Sequence, residues 1–348
     1  MKTHPAADAV RVTEAFVAAA AGTHERSKRD PGVAVTRHDR RMLRVFEEDS
    51  HDLPTGSLTM EAHLGYRFCN IPGTEVPEIL GTYNEIRAHA GTWGFHEQQC
   101  KDRCAGLILE GRKFVDDAGE ALDGFEAGEE NRARLLSLLE GVRVRMARER
   151  DASVQAHAGL KGFAAHIHET LAPEVVGRLD VVSGTRHDAT AFGLRAKGRR
   201  LLGDIVDKEK AYARLVDGDE WNLLGRRFER TLYAQATVDA HEALWSTIYE
   251  YKQVIGQVAI PHRTLKSLGL RRVHLANAAL AARSAAQGLG HLATLWATTH
   301  GAVEELIAEL EAAKDAATTK AACAKLNALV TAWESVESLA EVNEDTLG

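Results

Sequence analysis

Sixteen histidines are the residues of this chain best suited to chemistry, because imidazole moves protons and ligates metals near neutral pH. Their spacing argues against both uses. His166 and His168 lie two apart and face different sides of a helix, which is wrong for a shared metal. His241-Glu242 lacks the second histidine of a His-Glu-x-x-His zinc site, and the two Glu-x-x-His pairs of a di-iron bundle are not present. Cys100 and Cys104, four apart on one helix face, are badly placed for a disulfide and would need two further ligands to hold a metal, so they read as small buried hydrophobes. No Gly-x-Ser-x-Gly elbow, Walker loop or strand-following Gly-x-Gly-x-x-Gly occurs, and the lone Gly288-x-Gly290 sits inside a helical pattern as a packing notch. The expectation is no catalytic residue, no metal and no cofactor, and hence not an enzyme.

Composition removes further classes. The net charge is -7 with a pI near 6.2, and the short basic clusters at 26–29, 37–44 and 195–200 are interrupted by acidic or apolar residues. A nucleic-acid partner, which would need a continuous basic stripe, is therefore not expected. Four cysteines make no dense framework, so nothing argues for an oxidising compartment during folding. Asp8, Arg11 and Glu14 interrupt the alanine-rich N-terminus, so no cleaved leader is predicted. No run reaches the roughly 18 apolar residues of a spanning helix. The histidines leave one physical option open, a loss of stability on titration near pH 6.

The elements that would position any site are helices. Seven prolines, 6% aromatics and abundant Ala, Leu, Glu and Arg are what long helices use. Twenty-nine glycines cut against this, and those inside periodic stretches predict close helix contacts or bends. Short helices and breaks occupy the first 75 residues. From Ile79 the apolar positions recur by three and four through Tyr83, Ile86, Ala90, Trp93, Cys100, Cys104, Leu107, Gly111, Phe114, Ala118, Leu122 and Phe125. The spacing resumes at Leu135, Leu138, Val142 and Met146, then at Leu160, Phe163, Ile167 and Leu171 before Pro173. A helix continuous from 77 to 171 would be a rod of roughly 140 Å. Leu201, Ile205 and Leu215 carry a further helix to a turn at Asp217-Gly218-Asp219. A return helix is predicted from Trp221 through Phe228, Leu232, Val238, Trp245, Ile248, Tyr251 and Ile255 to Pro261, and two more helices contain Leu289 to Leu310 and Leu326 to Ala340. Trp93, Trp296 and Trp333 fall on the seams of three different helices and predict one aromatic layer that ties the two ends of the chain together.

These residues carry a resemblance. Phe46 to Pro54, Leu64-Gly65-Tyr66, Ile71-Pro72-Gly73, Thr82 to Ile86 and His89-Ala90-Gly91-Thr92-Trp93 are similar to the N-terminal half of the alpha-xenorhabdolysin A subunits. Those belong to the broader cytolysin A type of α-helical pore-forming toxin. Leu171-Ala172-Pro173, Tyr212 with Leu215-Val216, Leu292 to Trp296 and Trp333 to Leu339 agree in order and spacing. The resemblance implies an all-α, elongated fold: a tail helical bundle, a long antiparallel coiled-coil stalk and a head at the chain midpoint. On this chain that divides into tail-bundle helices and the start of the stalk at 1–130, stalk and head at 131–260 with a tip near 217–230, and return stalk with C-terminal tail helices at 261–348.

By the same resemblance the chain is a subunit of a multi-component cytolysin. It would be made soluble in the cytoplasm, then act outside the cell at a host membrane, binding or priming that membrane and joining a second helical toxin subunit and copies of itself in the pore. One departure matters: the predicted tip, Asp217 to Arg230, is charged where the family has a Gly-rich apolar stretch. Each charge at a bilayer centre costs about 2.5 to 3.5 kcal/mol on insertion scales, so the tip is not expected to span a membrane unaided. Two readings of it stay open. Trp221, Leu223, Leu224 and Phe228 contact the headgroup boundary while the neighbouring arginines meet anionic lipid, or the segment is a solvated hairpin end. At the level of the whole chain the alternative is a non-toxic coiled-coil scaffold or membrane-surface structural protein.

Overall fold

The computed structural model of the chain describes residues 5–20, 33, 35–56, 59–60, 63, 76–123, 128–184, 189–217, 235–257 and 263–347. Every regular element among them is helical: α1 (Pro5–Ala20), α2 (Arg37–His51), α3 (Val76–Ala90), α4 (Trp93–Leu122), α5 (Glu129–His166), a π-helical turn (Ile167–Leu171), α6 (Ala172–Gly184), α7 (Ala189–Asp217), α8 (Gln235–Gly256), α9 (Arg263–Ala312) and α10 (Ala316–Leu347). The fold is all-α and elongated, with α9 as its axis. Its 50 residues span about 75 Å at 1.5 Å each.

Between Arg272 and Trp296 nearly every residue of α9 is buried, as expected of a helix that is apolar on all sides. Alanines 276, 278, 279, 281, 282, 285 and 286 keep that stretch thin enough for neighbours to approach on every face. The longest partner is α5, which runs antiparallel along it. Arg132 donates to the Ala313 carbonyl (2.6 Å) and His157 Nδ1 to the Ala286 carbonyl (2.7 Å), so numbers fall along one helix as they rise along the other. This pair, prolonged through the π-helical turn into α6, is the antiparallel stalk. Around the C-terminal half of α9, helices α1, α4, α5 and α10 close a bundle; α2 and α6 pack on its N-terminal half.

The predicted seam from Ile79 to Ala118 is the buried one: Ile79, Tyr83, Ile86, Ala90, Trp93, Cys100, Cys104, Leu107, Gly111, Phe114 and Ala118 are all inside. The continuous rod from 77 to 171 is not. Gly91 and Thr92 end α3, their amides bonding back to the Arg87 and His89 carbonyls while the Thr92 hydroxyl also caps His89. A second break at Asp123–Gly128 returns the chain on itself. α4 and α5 then form an antiparallel pair, joined by Arg103–Glu149 (2.9 Å) and Arg145–Asp117 (2.8 Å). The three-four apolar spacing runs on across the first break, from Ala90 to Trp93, and resumes at Leu135 after the second, which is why it reads as one helix.

Pro173 does not end the helix either. It has no N–H for the carbonyl one turn back. The preceding turn widens, the Ala172 amide bonding to Ile167 O five residues back, and α6 continues beyond it. At the start of α2, Thr36 is the N-cap: its hydroxyl oxygen accepts from the Asp39 amide (3.0 Å) and its O–H donates to the Asp39 carboxylate (2.7 Å). Ser284 of α9 donates to the same carboxylate (2.9 Å), so one buried polar knot sets both the first turn of α2 and its seat on α9.

Residue 130 falls in the first turn of α5, and residue 261 between α8 and α9. Tail bundle and stalk share one apolar core across those points, since α5 and α9 belong to both.

Candidate functional site: the mid-chain hairpin

The middle of the chain folds as a hairpin of its own. α7 and α8 pair antiparallel: Gly198 faces Tyr251 and Val254, Lys208 donates to the Thr247 hydroxyl (2.6 Å), and the Tyr212 and His241 rings meet edge to face at 5.7 Å. The buried stripe of α8 is Leu244, Ile248, Tyr251, Val254 and Ile255, and that of α7 includes Leu201, Leu202, Ile205 and Tyr212. The hairpin meets the body chiefly through the last turns of α8, which run antiparallel to the first turns of α9. Gly269 makes that approach possible. A Cβ there would lie 2.7 Å from Ile255 Cδ1.

A charged cluster is buried where the hairpin meets the body. Arg272 of α9 is fully enclosed and presents two nitrogens to Glu209 of α7, Nη1 to Oε1 at 3.1 Å and Nη2 to Oε2 at 2.7 Å. Nδ1 of His168, on the π-helical turn, lies 3.3 Å from the same Oε2. Burial raises the Glu209 pKa, but the Arg272 charge, the His168 hydrogen bond and the Arg272 hydrogen bonds more than offset it and hold the carboxylate below its ordinary range. Tyr251 stands beside Arg272 with its pKa raised by burial. Nothing in the spacing of these residues announces the cluster. The usable signal is an arginine, Arg272, inside the apolar run that becomes the core of α9.

On the outer face of α8 two large aromatics are exposed, Trp245 at 44% and Tyr249 at 55%. They lie one turn apart with rings stacked at 6.0 Å and 20°. The prediction that Trp245 belongs to the apolar seam is thus corrected. The stripe is centred on Leu244, one residue and about 100° away. Lys252 follows on the exposed side, and on α7 Lys197 reaches across to Glu250 (2.9 Å) beside exposed Arg199 and Arg200. The predicted tip residues Trp221, Leu223, Leu224 and Phe228 lie outside the described residues.

The three seam tryptophans are all buried. Trp296 and Trp333 stack at 4.9 Å, Phe114 meets Trp333 edge to face at 6.0 Å, and Gly111 leaves room for the Trp333 ring, 3.0 Å from where a Cβ would stand. Trp93 belongs to another layer. It packs by Phe163 at 6.2 Å, about 27 Å along α4 from Gly111 at the helical rise.

Among the described histidines, His89 and His274 are set into the packing between helices. His89 stacks on Phe163 (4.3 Å), leans on His166 (4.5 Å) and donates from Nε2 to the Phe163 carbonyl (3.1 Å). Burial, aided by His166, pushes its pKa down to about 4 against that hydrogen bond. His274, 3.0 Å from the Asp49 carboxylate, is likewise pushed down to about 4 by burial and by Arg271. Among the described residues no group of three or more His, Cys, Asp or Glu is placed to hold a metal ion. Cys100 and Cys104 are buried free thiols; burial, then Cys104 and Glu97, raise the Cys100 pKa. No helix among the described residues is long and apolar enough to cross a membrane.

No family model matches the chain, and no curated protein does. Solved structures do. The chain is similar to YaxA from Yersinia enterocolitica, with 16% identity and a TM-score of 0.51 over 89% of this chain and 96% of that one. It is similar to the Bacillus cereus HblL1 toxin component, with 14% identity and a TM-score of 0.55 over 89% and 94%. It is also similar to the pre-pore AhlB of the tripartite alpha-pore forming toxin AHL from Aeromonas hydrophila, with 12% identity and a TM-score of 0.53 over 98% of both chains. The likeness runs along nearly the whole of each chain, so this chain shares the helical fold of these three proteins, among them a toxin component and the pre-pore of an alpha-pore forming toxin.

Proposed function

We propose that this chain is a non-enzymatic subunit of a multi-component α-helical pore-forming toxin. It contacts the target membrane through the α7–α8 hairpin and assembles there with a second helical subunit and with copies of itself, after leaving the cell that made it. The fold likeness to a toxin component and to a pre-pore of a tripartite toxin supports the class. The observation that carries the membrane role is the exposed Trp245–Tyr249 pair. Tryptophan and tyrosine concentrate at bilayer interfaces because an apolar ring and a polar edge suit the headgroup boundary. Neighbouring Lys252, Arg199 and Arg200 would favour anionic lipid despite the net negative charge of the chain. Helices satisfy their own backbone hydrogen bonds, so they exchange one apolar face for lipid or a neighbouring subunit at modest cost.

Flotation with vesicles of phosphatidylcholine and phosphatidylserine tests this. The wild-type chain floats, while Trp245→Ala/Tyr249→Ala loses about tenfold or more in binding with helicity unchanged, as expected for two interfacial rings. Adding Trp221→Ala and Phe228→Ala reports whether the tip shares the contact. A wild-type chain that never floats, in any lipid mixture, moves the protein to the scaffold class.

A further inference from the structure

An arginine with no exposed surface is an expensive feature in a helix otherwise filled with alanine and leucine. Taking Arg272 and Glu209 out of water costs more than their attraction returns unless every donor and acceptor is matched. Here the match is incomplete: both Nη atoms are engaged, but the Arg272 Nε is buried with no hydrogen-bond partner. Well-packed apolar residues in those places would be at least as stabilising. What the cluster supplies is position. Glu209 comes from α7, Arg272 from α9 and His168 from the π-helical turn, so the three join the hairpin, the axial helix and the stalk at one point.

The rest of the hairpin's attachment is slight. α7 packs mainly on α8, whose apolar contact with α9 includes Ile255 seated on Gly269 near the connection between the two helices. Farther from that connection, Glu209 lies about two turns before the last described residue of α7. We propose that Glu209, Arg272 and His168 form a releasable clasp. Closed, it fixes the register of the α7–α8 hairpin on α9 and the π-helical turn; broken at Glu209 or Arg272, it leaves an unmatched buried charge that drives the hairpin off as a unit while the bundle stays folded. The hairpin can leave as a unit because its own pairing, through Gly198–Tyr251, Lys208–Thr247 and Tyr212–His241, does not involve the clasp. This inference does not depend on the toxin reading. It holds equally for a scaffold with a movable arm.

Amide hydrogen exchange on the purified full chain tests it. Glu209→Gln keeps the shape and removes the charge; amides of α7 and α8 are expected to exchange about tenfold or more faster, with those of α1, α4, α10 and the C-terminal half of α9 within about twofold of wild type. The double variant Glu209→Leu/Arg272→Met removes both charges together and is expected to return α7 and α8 to wild-type protection or beyond. Uniform acceleration over the whole chain, no acceleration in Glu209→Gln, or failure of the double variant to restore protection overturns the clasp. Should Glu209→Gln not fold, Arg272→Met, which leaves Glu209 buried without its counter-charge, is judged by the same selective acceleration of α7 and α8.

Discussion

Trp333 joins three helices of the bundle. It is fully buried, stacks on Trp296, receives the edge of Phe114 and fills the space over Gly111, while its indole N–H donates to Thr299 (3.3 Å). Trp333→Ala therefore leaves a cavity that three helices cannot all close, and a loss of about 3 to 5 kcal/mol in urea unfolding is expected. The buried histidines act through protons instead. For His89 and His274 the folded pKa of about 4 lies below the ordinary 6.5, so the unfolded chain binds protons more readily. Their contribution to stability is complete above pH 6.5 and is lost as pH falls toward 4. His166 and His96 face His89 and lower its pKa against the Phe163 carbonyl bond, while Arg271 and Lys252 lower that of His274 against Asp49. Melting temperature should be flat from pH 8 to 7 and fall steadily from about 6.5 to 4.5, with His274→Gln shallowing the slope. A melting temperature unchanged over that range would remove the histidines from the stability of the fold.

At the scale of elements, α2 depends on its cap. Thr36→Ala takes away the acceptor for the Asp39 amide and leaves the Asp39 carboxylate with one donor fewer in a buried site. The expected cost is about 1 kcal/mol for the cap, with more for the buried carboxylate, read from denaturant midpoints; Thr36→Ser should recover most of it. The helices themselves were legible to different degrees, each for a physical reason. The seam from Ile79 to Ala118 could be read because one face of α3 and α4 is buried and the other wet, which leaves a three-four period. In α5 the same rule placed Leu138 on the seam, whereas Leu139 is the buried residue, a slip of one position. The first half of α9 left no such trace, because burial on all faces erases periodicity. The break at Gly91 is hidden by apolar spacing that runs straight across it, and the one at Asp123–Gly128 by a three-four spacing that resumes at Leu135. Trp245 was misplaced since seven-residue spacing from Val238 fits a seam as well as it fits the exposed flank beside it. Glu209 and Arg272, 63 residues apart, share no pattern at all; only the topology brings them together.

At the scale of the molecule, the arrangement separates stability from contact. The bundle holds the two chain ends with Trp296, Trp333 and the apolar face of α1, while the hairpin presents its aromatics on a face the core does not need. An assembly that must be stable in water and then engage a bilayer benefits from that separation, because changes in the hairpin leave the bundle intact. The central claim is that the chain is one component of a pore. Release of a small dye from phosphatidylcholine and phosphatidylserine vesicles by the purified chain, alone and together with candidate helical partner subunits, tests this most directly. The account predicts little release by the chain alone, rapid release with the partner, and loss of that release in Trp245→Ala/Tyr249→Ala. A chain that binds neither vesicles nor any candidate partner subunit, and releases no dye in any combination, would contradict it and leave a helical scaffold.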